Sequence, residues 1–237
     1  MGFKIRGYTR TVPQDKVRDY SLFAIACEGT EREPDYFRLF DGIDRIKVDI
    51  IDDVCSRENG VTIQSRPSSP SHVLERVLAY MEEYQLDAKY GDTLWCVIDK
   101  DRWPQEQIEE LYNFCGGKKN CFLTISNPCI EVWLLYHKLE DLSELDIHSA
   151  QDAKKALGDI EPGGYYYIKY LPLMLQAIMN AKKADSNPNG YLPGFLQTKV
   201  YHLAEALYAR MGKVRFEKFV ASLPDLEREI LARKEVL

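Results

Sequence analysis

Residues 94–104, Leu-Trp-Cys-Val-Ile-Asp-Lys-Asp-Arg-Trp-Pro, restrict the possible fold more than any other stretch of the chain. An apolar run from Leu94 to Ile98 goes straight into Asp99 and Asp101, and Pro104 follows at a position suited to a first helical turn. A short, continuous apolar run that stops at carboxylates reads as a strand buried on both faces, as in parallel sheets covered by helices. Side chains two apart on an extended chain point to the same face, so Asp99 and Asp101 are expected to converge on one small ion. Carboxylate oxygens are the ligands that a hard cation, Mg2+ or Mn2+, takes.

A second run of this kind lies earlier. Residues 21–27 are almost wholly apolar and end at Glu28 and Gly29. In open parallel sheets, ligands gather beyond the carboxyl ends of the strands, where strand order reverses. Placed side by side, the two strands would bring Glu28, Asp99 and Asp101 into one acidic cluster, whose repulsion a metal or a proton must relieve.

From residue 20 to residue 139 a short apolar strand alternates with a segment of helical periodicity. Strands are expected at 21–27, 45–51, 94–98 and 121–125, and Pro34, Pro70, Pro104 and Pro128 stand at plausible first helical positions. The helix after Ser69 should bury Val73, Leu74, Val77, Leu78 and Met81, and the helix after Pro104 should bury Ile108, Leu111, Tyr112 and Cys115 before Gly116 and Gly117 end it. Asn127 is placed to cap the helix that follows the fourth strand. The loop 52–69 is long enough to be mobile or part of the site. This grammar predicts an α/β domain at 20–139, built on a mostly parallel four-stranded sheet with helices on both faces.

Beyond residue 139 helices are expected at 151–157, 171–184, 198–211, 213–223 and 225–235, with breaks at 162–164 and 187–190. The aromatic run 165–168 is the one strand-like stretch there. Residues 140–237 thus read as a helical lobe packed on the sheet domain, and residues 1–19 as a basic segment, either a solvated tail or a phosphate-contacting arm, carrying Lys4, Arg6, Arg10, Lys16 and Arg18.

The 237-residue chain has a net charge of −6, which argues against nonspecific coating of nucleic acid. No apolar run approaches the roughly 18 residues of a membrane span and Met1 is followed by mixed polar residues, so a cytoplasmic protein is expected. The cysteines at 27, 55, 96, 115, 121 and 129 have no metal-finger spacing and read as buried free thiols rather than a zinc site.

Glu28 after one strand and Asp99-Lys100-Asp101 after another resemble the layout of the TOPRIM domain. Residues 27–29 with 33–37, the D-x-D strand, and Ser126-Asn127-Pro128-Cys129-Ile130-Glu131-Val132-Trp133 resemble more closely the RloB-like family, TOPRIM-related and associated with phage defence. The stretches 177–183 and 198–207 are similar to its C-terminal helices, and the chain departs from its first motif at Arg32, where threonine is expected. The resemblance implies a TOPRIM-like, Rossmann-like fold and a Mg2+- or Mn2+-dependent nuclease acting on tRNA or DNA as the toxic effector of an antiviral system, under an ATPase encoded nearby. An adaptor or sensor of the same fold, which binds a partner ATPase or nucleic acid without cutting, is the other reading, and a homodimer is open.

Glu28, Asp99 and Asp101 are thus the candidate metal ligands and, with Glu131, the candidate catalytic residues. Glu131 is expected about one turn inside its helix, either completing or orienting a metal site or forming a surface salt bridge. Glu31 and Glu33 suit the positive end of a helix as well as metal ligation. Trp103 beside the D-x-D is a candidate contact for a base or sugar, whereas Trp95 and Trp133 read as core. Lys182 and Lys183 either complement a helix end or contact phosphate. His137 and His202 read as packing or capping residues.

Overall fold

The computed structural model describes residues 19–29, 32–43, 45–51, 69–101, 103–162 and 166–234. The basic residues 4–18, Glu31, most of the loop 52–69 with Cys55, and Gly163, Gly164 and Tyr165 therefore lie outside the described residues. The elements run β1 (Ser21–Cys27), α1 (Arg32–Arg38), β2 (Ile46–Ile50), α2 (Pro70–Glu83), β3 (Thr93–Asp99), α3 (Gln105–Gly116), β4 (Cys121–Asn127) and α4 (Glu131–Tyr136). They continue with α5 (Ala150–Ile160), α6 (Tyr167–Tyr170), α7 (Met174–Ala184), β5 (Gln197–Thr198), α8 (Tyr201–Met211) and α9 (Lys213–Lys234).

The strand order is β2-β1-β3-β4-β5. The first four strands are parallel, and β5 joins β4 antiparallel. The sheet thus has five strands, not four. A two-residue strand has no hydrophobic period to read; polar anchors hold it instead. Thr198 Oγ1 lies 2.8 Å from Ser126 Oγ, and Asn127 Nδ2 donates to Pro193 O at 3.1 Å. Beside it the buried Lys199 Nζ meets Asp185 Oδ2 at 2.5 Å and donates to Asn187 O at 2.6 Å, while Tyr201 donates to the same Asp185 oxygen at 2.6 Å.

Successive side chains divide the sheet's two faces. Phe23, Ile25 and Cys27 of β1 and Trp95 and Val97 of β3 share one core with α1, α4 and the helices after residue 139, reaching Leu223 of α9. Ala24 and Ala26, with Leu94, Cys96 and Ile98, share the other core with Val73 and Val77 of α2 and Ile108 and Leu111 of α3. Among the described residues the buried side chains of the C-terminal helices thus continue the core on one face of the sheet. Every residue of α4 is buried, so this short helix is apolar on almost all sides, as expected of a helix at the centre of a layer. Among the described residues no helix is long and apolar enough to cross a membrane.

Several local expectations give way to tertiary packing. Leu78 and Tyr112 are exposed at 46% and 41%, because the second and third helices bury narrower stripes than the sequence suggests. Tyr112 stacks on Tyr191 with ring centroids 4.0 Å apart. Pro70 does open α2 behind the Ser69 cap, but Pro104 is itself the cap of α3, Pro34 lies inside α1, and Pro128 precedes α4. Asn127 ends β4 and spends its amide on Pro193 rather than capping a helix. Tyr167 and Ile168 belong to the helix α6, not to a strand, and one helix, α9, runs through Pro224 where two were expected. Within it, Arg228 Nε donates to the Pro224 carbonyl at 3.3 Å.

Candidate active site at the strand ends

β1 is the first strand in the chain yet lies between β2 and β3, so the direction of winding reverses between β1 and β3. A crevice outside the carboxyl ends of the strands forms at such a reversal. Cys27 pairs with Val97 across it, and the Glu28 N–H donates to Val97 O at 2.9 Å, which sets Glu28 beside the end of β3. The Glu28 carboxylate is then gripped at both oxygens. Oε2 accepts from the backbone N–H of Asp99 at 3.1 Å, and Oε1 accepts from Trp103 Nε1 at 2.7 Å. The two acid-terminated strands therefore meet as expected, while the Trp103 N–H is committed to Glu28.

Asp99 continues the face of Trp95 and Val97, and its carboxylate accepts from the backbone N–H of Ile130. Asp101 does not follow it. The strand stops at Asp99, and Asp101 lies in a turn with φ 22°, exposed, its N–H donating to Pro128 O at 2.9 Å. The rule that side chains two apart share a face holds only on an extended chain. Among the described residues, the carboxylate oxygens of Glu28, Asp99 and Asp101 do not all lie within 4.8 Å of one another. Asp101 still bears on Glu28 electrostatically.

Glu33 joins the cluster from the first turn of α1. It is buried, its carboxylate accepts the backbone N–H groups of Gly29 and of Glu33 itself, and it repels both Glu28 and Asp99. A Cβ at residue 29 would come within 2.3 Å of Glu33 Oε2, so only glycine lets this carboxylate sit against the chain after β1. Burial pushes the Glu28 carboxyl up to about 7, against the pull of the Trp103 and Asp99 N–H groups, and Glu33 and Asp101 add repulsion. Burial likewise raises Asp99, with Glu33 and Glu28 adding to it. Glu33 is raised by burial too, with Arg32 and Lys154 opposing. Buried carboxylates that also repel one another are the all-oxygen donor chemistry a hard divalent cation takes, so in chemistry the donor set fits such an ion.

Glu131 is the first residue of α4 rather than one turn in, and it is buried, at 1% exposure. Its Oε1 pairs with Arg32 Nη1 in a half-buried ion pair, the glutamate enclosed and the arginine side chain 42% exposed. Its Oε2 is buried without a hydrogen-bond partner among the described residues. Arg32 thus supplies, from the helix after β1, the counter-charge of the acid in the helix after β4. The sequence marked Arg32 only as a departure, because nothing local says that residue 131 would be opposite. Lys154, on the exposed side of α5, acts on Asp99, Glu33 and the Cys129 thiol; no motif pointed to it.

Lys182 and Lys183 are occupied elsewhere, on Glu205 at 2.7 Å and Glu140 at 2.6 Å. Trp95 and Trp133 are core residues. His137 is buried between Tyr36 Oη at 3.0 Å and Trp133 O at 2.9 Å, and burial lowers it to about 3, so it is a packing residue. His202 lies exposed beside the Tyr201 ring.

Fold and site together define an α/β protein with a cluster of acids at its strand reversal. The family model for RloB-like protein matches residues 23–207, and the chain belongs to the RloB-like family. No curated protein and no solved structure matches it.

Proposed function

We propose that the chain is a divalent-metal-dependent phosphodiesterase of TOPRIM type that cleaves tRNA or DNA, with Glu28, Asp99 and Asp101 as the ligands of Mg2+ or Mn2+. The observation that carries this reading is the contact of the Glu28 carboxylate with the Asp99 backbone N–H at 3.1 Å, which unites the two acid-terminated strands at the sheet's reversal point. The cation would act as a Lewis acid toward a phosphodiester.

The chain's own groups supply the rest. Trp103 Nε1 and the Asp99 N–H fix the orientation of Glu28, whose carboxyl changes protonation near neutrality, as a general acid or base working there requires. Glu33 accepts the Gly29 N–H and so anchors the residue that follows Glu28. Arg32 fixes Glu131 and with it the start of α4, whose preceding Ile130 N–H orients Asp99. Lys154 offers an exposed positive charge beside the acids that suits a phosphate oxygen. Kinship with the RloB-like family supports a setting in antiviral defence beside a partner ATPase.

The second reading is a non-catalytic adaptor of the same fold, favoured by the carboxylate oxygens of Glu28, Asp99 and Asp101 not all lying within 4.8 Å of one another among the described residues. One experiment separates them. Wild type, Glu28→Ala and Asp99→Ala are incubated with tRNA and with DNA in Mg2+, in Mn2+ and in EDTA. The nuclease reading expects cleavage by wild type alone, abolished by EDTA and reduced about 10²- to 10⁴-fold in the variants. Equal inactivity of all three proteins, with equal toxicity in cells, favours the adaptor.

A further inference from the structure

On the other face of β3 from Trp95 and Val97, three sulfurs meet. Cys96 belongs to the middle of β3, Cys121 is the first residue of β4, and Cys115 lies in the last turn of α3 above them. The strand register pairs Leu94 with Cys121 and Cys96 with Leu123, so Cys96 and Cys121 are diagonal neighbours on one face, and both belong to the core that α3 covers. Cys115 Sγ is 4.0 Å from Cys96 Sγ and 3.1 Å from Cys121 Sγ, and all three sulfurs lie within 4.8 Å of one another. Their exposures are 0%, 3% and 5% for Cys96, Cys115 and Cys121.

A cation about 2.3 Å from each of three thiolates needs sulfur–sulfur separations of about 3.8 to 4.0 Å. The observed spacings bracket that range, so small side-chain rotations would seat the ion. The rest of the pocket is apolar, with Ile108, Leu111 and Ile125 in the same cluster, and no fourth His, Cys, Asp or Glu among the described residues joins the three. An all-sulfur set excludes Mg2+ and Ca2+ and selects soft d10 ions. The positive charge of Lys118, whose Nζ is 3.8 Å from the Phe114 ring centroid, acts on both Cys115 and Cys121 and offsets thiolate charge.

We propose that Cys96, Cys115 and Cys121 form a thiolate site for one thiophilic d10 cation, Zn2+ or Cu+, that staples α3 and the start of β4 to β3. Binding releases the thiol protons to solvent. The site is independent of the acidic cluster and stands whether or not the chain is a nuclease.

The full chain, reduced and stripped with a chelator, is titrated separately with Cd2+ as a spectroscopic substitute for Zn2+, with Zn2+ itself, and with Cu+. The proposal expects one tightly held ion per chain, thiolate-to-metal charge-transfer absorption, and a melting temperature raised about 5–10 °C at a hundredfold excess over Kd. The absorption and the shift are lost in Cys121→Ala and kept in Cys27→Ala. Binding in the Cd2+ and Zn2+ arms alone assigns Zn2+, and binding in the Cu+ arm alone assigns Cu+. If Cys121→Ala does not fold, alkylation mapping of wild type decides: Cys96, Cys115 and Cys121 must become protected together by metal. No stoichiometric ion in any arm, binding unchanged in Cys121→Ala, or a Cys115–Cys121 disulfide in place of metal would overturn the proposal.

Discussion

Replacing Glu28 by Gln removes a charge that burial makes costly, and the cost has a pH signature. The carboxyl is raised from 4.5 to about 7 in the folded chain, so between those values the folded state binds more protons than the unfolded one. Glu28 therefore favours the folded state most below its unfolded value, and stability falls as pH rises through the window to about 7. At roughly 1.36 kcal/mol per pKa unit, a shift of this size lowers stability by about 2.5 kcal/mol between about pH 5 and about pH 8. Its partial exposure reduces this to about 2 kcal/mol. In Glu28→Gln that component vanishes, leaving the slope from Asp99 and Glu33, which are raised as well and act in the same direction. The glutamine amide satisfies only one of the two N–H groups that grip Glu28, at a cost of about 1 kcal/mol at every pH. The decisive quantity is hence the difference between the two pH values, which cancels that constant.

Urea unfolding of both proteins at the two pH values, extrapolated linearly, measures it. Wild type should lose about 2 kcal/mol more than Glu28→Gln on going to the higher pH. Excess Mg2+ should recover much of that loss in wild type and little in the variant. Equal losses in the two proteins would refute the claim that Glu28 is a buried, mutually repelled carboxylate.

Three further outcomes follow from the contacts. Gly29→Ala sets a Cβ within 2.3 Å of Glu33 Oε2 and displaces that carboxylate from its N–H donors, for a loss of about 2–3 kcal/mol in denaturant unfolding. Lys199→Met strips the buried Asp185 of its cation and should cost about 3–5 kcal/mol, with the double variant Lys199→Met/Asp185→Asn measurably more stable than the single one by thermal unfolding. Trp103→Phe removes the donor to Glu28 Oε1, so the limb of the pH–rate profile set by Glu28 should move up by about one unit, whereas a merely structural tryptophan would leave it in place.

The strands that carry the site were legible because a buried parallel strand writes itself as an unbroken apolar run; β1 begins and ends where the sequence places it, and β3 ends one residue later than Ile98. Glu28 and Asp99 were legible for the same reason, as the residues at which those runs stop. Asp101 does not share the extended geometry of Asp99, because β3 stops at Asp99 and the chain turns at Asp101 with φ 22°, which no feature of the D-x-D spacing reveals. β5 was missed because Ser126, Asn127, Thr198 and Lys199 hold it through polar groups, which leave no period in the sequence. The pairings of Arg32 with Glu131 and of Lys199 with Asp185 join residues whose opposition only the packed layers create. The convergence of Cys96, Cys115 and Cys121 depends in the same way on the register of β3 with β4 and on α3 lying over both.

The acids at the strand reversal are proposed to support phosphodiester cleavage. End mapping of total RNA and DNA from cells expressing the wild-type chain, beside cells expressing Asp99→Asn at equal abundance, tests it most directly. Discrete new ends in one nucleic acid are expected from wild type, missing in the variant and reproduced by purified wild type only with Mg2+ or Mn2+. Identical end maps from the two proteins, with both folded, would contradict it.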